Sequence, residues 1–144
     1  MVPVASAPML TVSPAALAGM VAHAYDCYPE EMCGLLSGRS TPGSAPVFHP
    51  CRNITRSGRV FEIHPMDYQR AEDAAEAAGH ELIAIVHSHT HTEPYPSPTD
   101  VGVAEGLGPW FRWVIVGLKR EGGPEVRCYR IEDGVITEEP VAIG

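Results

Sequence analysis

The stretch LIAIVHSHTHTEPYPSPTD, residues 82–100, joins an apolar run to three alternating histidines and then to Ser-Pro-Thr-Asp. The apolar run predicts a buried strand. Ser97 and Pro98 predict the N-cap and first position of a helix. Because side chains alternate along a strand, His87 and His89 are expected on the same face. The stretch therefore predicts a strand, a loop and a helix start that bring two imidazoles and a carboxylate together.

Two histidines on one face form a chelating pair for a metal such as zinc, whose catalytic sites usually combine three protein ligands with an open position. Asp100, in the first turn of the predicted helix, is the candidate third ligand. Ser97 and Asp100 alone fit a capping box better than a metal site, so both roles stay open. His91 would also continue the alternation, but the following prolines disfavour a longer strand and predict a loop residue near the cleft. A histidine pair beside a carboxylate and a hydroxyl favours a metal site.

The rest of the chain alternates helical and extended patterns. Helices are predicted from the N-cap Ser13 to about Pro29, from Pro65 to Gly79, and as a short segment over 101–108. Strands are predicted over 32–38, 47–54, 59–65, 80–89 and 110–118, and as two strands around an Asp-Gly turn within 124–143. This order predicts an α/β (α+β mixed) fold with a single mixed sheet flanked by helices.

Length and composition limit the function classes. The 144 residues suit one domain, assigned to residues 10–144 after a flexible leader over 1–9 that holds at most a short first strand. The formal net charge is -8 with 10 Lys and Arg, which argues against a nucleic-acid or anionic-membrane partner. The start lacks the pattern of a secretory signal, so a cytoplasmic location is expected.

Two motifs together resemble one known family. His87-x-His89 followed after seven residues by Ser97-x-x-Asp100, with EEMCGLLSG at 30–38 upstream, resembles the JAMM (MPN+) zinc metalloproteases from about Leu10 onward. The resemblance implies the cytidine deaminase-like JAMM/MPN architecture. It also implies one zinc ion per chain held by His87, His89 and Asp100, with Glu31 as general acid/base and Ser97 as the hydrogen-bond donor to the oxyanion.

The chain departs from many family members at Thr90, where they have proline, and it is too compact for the insertions with which eukaryotic members clamp two ubiquitins. The stretches AHAYDCYPEEMCGLLSG, HSHTHTEPYPSPTDV and CYRIEDGVITEEPV are similar to a small actinobacterial branch of the family. That branch cuts the amide after the C-terminal Gly-Gly of a ubiquitin-like (β-grasp) sulfur carrier protein and releases cysteine for cysteine biosynthesis. The resemblance implies such a carrier as partner.

Three alternatives remain beside this hypothesis. A JAMM isopeptidase acting on other ubiquitin-like conjugates would use the same residues, and a catalytically silent MPN scaffold would typically lack the ligands. A zinc nucleoside deaminase is disfavoured because the chain has no C-x-x-C. A homodimer is left open, as are roles for His64 and His91. Arg52 and Arg56 either hold a substrate carboxylate or are solvated.

Overall fold

The computed structural model describes residues 8–119 and 121–144, so the predicted leader lies almost entirely outside the described residues. The helices are α1 (Pro14–Cys27), α2 (Pro65–Ala77) and α3 (Pro98–Leu107). The strands are β1 (Leu10–Val12), β2 (Cys33–Arg39), β3 (Ser44–Cys51), β4 (Glu81–His89), β5 (Arg112–Gly117), β6 (Glu125–Glu132), β7 (Val135–Glu139) and β8 (Val141–Ile143).

Each helix begins with a side-chain cap followed by proline. The Ser13 hydroxyl accepts from the N–H of Ala16 in α1, and Ser97 does the same for Asp100 in α3. The cap of α2 is His64, whose Nδ1 accepts from the N–H of Met66. Proline suits the first helical position because the N–H that it lacks has no partner there. The predicted starts of α1 and α2 are confirmed, and α3 begins with its predicted cap.

All eight strands form one mixed sheet in the order β7-β6-β5-β4-β2-β3-β1-β8. β4 pairs parallel with β5, and β1 pairs parallel with both β3 and β8, while the other neighbours are antiparallel. Alternate residues of the central strands face two apolar clusters, one packed against α1 and the other against α2 and α3. The predicted mixed α/β fold is confirmed.

Two predicted strands differ from the structure. Residues 59–65 form no strand, since their only ladder contact is the isolated bridge between Asn53 and Ile63. The alternation there is real, because Phe61 and Ile63 pack on the α2 side of the core, but backbone groups of this segment bond to the side chain of Asn53 instead of a neighbouring strand. The last predicted strand divides at Pro140, which cannot donate a ladder hydrogen bond, and β8 joins the opposite edge of the sheet.

Candidate metal centre

The two predicted histidine ligands end β4, which lies between β2 and β5 at the centre of the sheet. Both imidazoles are buried, and their Nε2 atoms lie 3.1 Å apart. Phe61 stacks on the ring of His87 with the ring centroids 4.5 Å apart. Because side chains alternate along a strand, both imidazoles lie on the same face of β4 with their Nε2 atoms close together, and the Phe61 ring covers the ring of His87.

Asp100 reaches the same point from the first turn of α3. Its Oδ2 lies 3.2 Å from Nε2 of both His87 and His89. The same oxygen accepts the backbone N–H of Ser97 at 2.9 Å, and the Ser97 hydroxyl accepts the N–H of Asp100. The same Asp100 carboxylate therefore takes part in the capping box and faces the two histidines, because the start of α3 fixes its position.

The three atoms fit a divalent ion. Ligand atoms about 2.0–2.1 Å from a tetrahedral zinc ion lie roughly 3.3 Å from one another, close to the 3.1–3.2 Å sides of this triangle. Nδ1 of His89 lies 2.8 Å from the carbonyl oxygen of Glu93, so that nitrogen carries the hydrogen and Nε2 keeps its lone pair. With Glu31, the candidate ligand atoms all lie within 4.8 Å of one another.

Glu31 is placed beside the triangle by strand pairing. Cys33 lies opposite His87 in the β2–β4 ladder. Just before the ladder, the N–H of Met32 donates to the Ser88 hydroxyl and the N–H of Ser88 donates to the Met32 carbonyl. The Glu31 carboxyl is buried, with Oε1 3.6 Å from Nε2 of His87. A buried carboxyl group therefore adjoins the histidine pair.

The loop before α2 forms hydrogen bonds with both the N–H and the carbonyl group of Glu31. Its N–H donates to the carbonyl of Ser57 at 2.7 Å, and its carbonyl accepts from Nδ2 of Asn53 at 2.9 Å. Oδ1 of Asn53 in turn accepts from Thr55 and from the N–H of Glu62. Asn53 was missed by sequence reasoning, since a polar residue in a predicted extended segment carries no signal of this role.

Burial and neighbouring groups set the protonation of the site. Burial raises the pKa of Glu31 to about 8, with His89 opposing this and Asp100 adding to it. Burial alone would raise the pKa of Asp100, but hydrogen bonds with His87 and His89 outweigh it and lower that pKa well below its usual range. Burial lowers the pKa of His87. Asp100 is therefore a carboxylate and His87 a neutral imidazole, the forms that bind a metal ion.

Two cavities meet at Glu31. The first, of about 480 Å³, is also lined by His89, Ser97 and Arg59. The second, of about 600 Å³, is lined by Glu31 and by residues of the α1 end and of the loop before α2. Glu31 and His89 of the candidate ligand cluster therefore border open space.

The structure also shows where two histidines and two arginines of undecided role lie. His91 is exposed, lines the first cavity and lies outside the cluster of candidate ligands. His64 caps α2 and lines the second cavity. Arg52, whose side chain is 60% exposed, forms a two-pronged ion pair with Asp67, with both contacts at 2.9 Å. Arg56 lines the second cavity.

Residues 13–132 match the family of prokaryotic homologues of the JAB domain, so the chain belongs to that family. The CysO-cysteine peptidase of Mycobacterium tuberculosis is 36% identical over 124 residues, which are 86% of this chain and 84% of that protein. Desampylase of Haloferax volcanii is 36% identical over 73 residues, 50% of this chain and 52% of its own length. These relatives confirm the predicted resemblance and show that the family includes peptidases.

The fold agrees with this family. A JAB1/MPN domain protein from Archaeoglobus fulgidus superimposes with a TM-score of 0.57 at 20% identity, covering 92% of this chain and 99% of its own. At that identity the likeness concerns the fold alone. Among the described residues, no helix is both long and apolar enough to cross a membrane.

Proposed function

We propose that this chain is a zinc-dependent peptidase that cuts the amide after the C-terminal Gly-Gly of a ubiquitin-like sulfur carrier protein and releases cysteine, in the cytoplasm. The observation that carries the proposal is the buried convergence of Glu31, His87, His89 and Asp100, whose ligand atoms lie within 4.8 Å of one another. The relative that supports the substrate is the CysO-cysteine peptidase, which is 36% identical over most of the chain.

His87, His89 and Asp100 would hold the zinc ion through the three atoms already described. A zinc ion supplies Lewis acidity, since it lowers the pKa of water and polarises a carbonyl group. The capping box of α3 and the Glu93 carbonyl keep two of these ligands oriented. Such supporting hydrogen bonds typically contribute a factor of about 10–100 in metal affinity.

Glu31 would act as the general acid/base. It accepts a proton from the attacking water as the new C–O bond forms, and it delivers that proton to the leaving nitrogen as the C–N bond breaks. The second proton of the water leaves as the new carboxyl group ionises and is taken up by the freed amine, so the products are a carboxylate and an ammonium group. The pKa of about 8 that burial gives Glu31 favours delivery of the proton, while a nearby divalent cation favours the ionised form that accepts it.

Ser97 would stabilise the oxyanion of the tetrahedral intermediate. Its oxygen already accepts the N–H of Asp100, so its own hydrogen is free to donate toward the first cavity, which Ser97 lines together with Glu31. Removing one such donor typically lowers the rate on the order of 10²–10³-fold.

A Gly-Gly tail suits this arrangement because residues without a Cβ can approach buried groups closely. A second candidate, isopeptidase activity on other ubiquitin-like conjugates, is favoured by the likeness to Desampylase over 73 residues. A silent scaffold is disfavoured, because all the residues that the family motif requires are present and converge at one site.

The test is intact mass spectrometry of a β-grasp carrier ending in Gly-Gly-Cys, incubated with the zinc-loaded protein with and without chelator. We expect loss of one cysteine that the chelator prevents. Glu31→Gln should keep zinc and lose hydrolysis, whereas Glu72→Gln, which changes an exposed carboxyl on α2, should keep both. An unchanged carrier mass at full zinc occupancy would refute the proposal and direct the assay to isopeptide-linked carriers.

A further inference from the structure

The two cavities that meet at Glu31 are chemically different. The first contains Ser97 and His89, and so lies on the side of the oxyanion donor. The second shares Glu31 with the first but is lined by neither Ser97 nor any of His87, His89 and Asp100. Its lining comes from the end of α1 and from the loop before α2, including Cys27, Arg56 and His64.

In amide hydrolysis the oxyanion donor faces the carbonyl oxygen, and the general acid must reach the leaving nitrogen. The leaving group therefore lies beyond Glu31, on the side away from Ser97. We infer that the second cavity binds the leaving amino acid and that the Arg56 guanidinium holds its α-carboxylate. This inference rests on the proposed function and names the leaving-group chemistry of the same site.

The charges around the second cavity single out Arg56. Arg52 and Asp67 neutralise each other through their paired contacts. In the described part of the chain, the guanidinium of Arg56 forms neither an ion pair nor a hydrogen bond with another residue. An arginine without a partner can take a carboxylate through two parallel hydrogen bonds. Arg56 is therefore the cation of this cavity that remains available to an anionic group.

The backbone around Arg56 is held in place. Arg56 has a φ of 48°, in the left-handed region that residues with a Cβ seldom adopt. Its neighbour Ser57 accepts the N–H of Glu31 at 2.7 Å. Unusual backbone of this kind persists where surrounding contacts enforce it, often at ligand sites. The same contact that positions Glu31 thus fixes the loop that carries Arg56.

The remaining polar groups suit an amino acid. His64 accepts at Nδ1 from Met66, so its neutral ring carries the hydrogen on Nε2 and can donate. The lining also includes the carboxyl groups of Glu30 and Glu31, which suit the amino group that hydrolysis frees. An amino acid joined through its α-amine places its carboxylate close to the cut bond, whereas a lysine joined through Nζ does not. The cavity therefore favours a C-terminal amino acid over an isopeptide-linked lysine.

The experiment compares two substrates, a β-grasp carrier ending in Gly-Gly-Cys and the same carrier ending in Gly-Gly-cysteinamide, with the zinc-loaded protein. The amide has an NH2 group in place of one carboxylate oxygen, so it lacks the negative charge and one of the two acceptors that a guanidinium group binds. We expect the acid to have a kcat/KM about 10- to 100-fold higher, the loss typical of one charged hydrogen-bond pair. Arg56→Ala should slow the acid by that factor, leave the amide nearly unchanged and bring the ratio close to 1. Arg56→Lys should restore part of the preference.

Arg59→Ala is the matched control, because it removes the same charge from the same loop but at the first cavity. Whatever its effect on turnover, the acid-to-amide ratio should stay at the wild-type value. A wild-type ratio near 1, or a ratio abolished by Arg59→Ala and kept by Arg56→Ala, would overturn the inference while the peptidase proposal stands. No turnover of either substrate at full zinc occupancy would overturn both.

Discussion

Replacing Asn53 by alanine removes the side chain that joins Glu31 to the loop before α2. Nδ2 of Asn53 donates to the carbonyls of Glu31 at 2.9 Å and Val60 at 3.2 Å. Its Oδ1 accepts from the N–H and hydroxyl of Thr55 and from the N–H of Glu62 at 3.1, 2.6 and 3.0 Å. All of these contacts are lost in Asn53→Ala.

The expected loss in the free energy of unfolding follows from these five hydrogen bonds. Each contributes about 0.5–1.5 kcal/mol in net terms, and the lower end applies because most of them are open to water. We expect a loss of about 2–3 kcal/mol in the free energy of unfolding. With a urea m-value of about 1–3 kcal/mol/M, the midpoint falls by roughly 0.7–3 M. Because Glu31 is then held less firmly, kcat should fall about 10- to 100-fold with little change in KM.

Two further variants separate stability from positioning in urea unfolding and carrier cleavage. Asn53→Asp keeps the acceptor for Thr55 and Glu62 but loses the donor to Glu31, so it should recover part of the stability and little of kcat. Thr55→Ala removes one hydroxyl contact to Asn53 and should leave kcat unchanged. A wild-type kcat in Asn53→Asp would show that the bond to the Glu31 carbonyl does not position the acid/base.

Asp100→Ala should weaken zinc binding by about 100-fold or more, measured by chelator competition, because it removes one of the three proposed ligands and the partner of Ser97; an affinity unchanged from wild type would exclude Asp100 as a ligand. Asp67→Asn should lower stability by about 1 kcal/mol at neutral pH through loss of the Arg52 pair. The hydrogen bond from Arg52 lowers the pKa of Asp67 below its ordinary 3.8, so this stabilisation is present above that pH and is lost as the pH falls below it. Urea midpoints of the two proteins should therefore converge in acid, and a constant gap would contradict the assignment.

The site could be predicted where its signals are local. The alternation of His87 and His89 and the capping pattern of Ser97 and Asp100 each lie within a few residues, so strand and helix periodicity place them correctly. The sequence also favoured a capping role for Ser97 and Asp100. In the structure, Oδ2 of Asp100 both accepts the capping hydrogen bond from Ser97 and faces the histidines. Glu31 needed the family resemblance, because its position depends on the register between β2 and β4.

Other features depend on contacts that periodicity does not encode. Residues 59–65 have the alternation of a strand, yet the hydrogen bonds of this segment go partly to the side chain of Asn53 instead of a neighbouring strand. The parallel pairing of β1 with β8 joins the two ends of the described chain. No local pattern indicates which distant strand will complete an edge, so the sheet order could not be predicted from the sequence.

The pairing of β1 with β8 also affects the order in which the strands of the sheet can pair during protein synthesis. Residues 10–12 leave the ribosome well before their partners at 141–143. By contrast, β2, β3, β4 and β5 adjoin one another in the sheet and are complete once Gly117 is translated. The proposed metal ligands His87, His89 and Asp100 all precede Gly117 in the chain. A nascent chain could therefore bind the proposed metal ion before β8 is translated, and one edge of β1 would stay unpaired until residues 141–143 leave the ribosome.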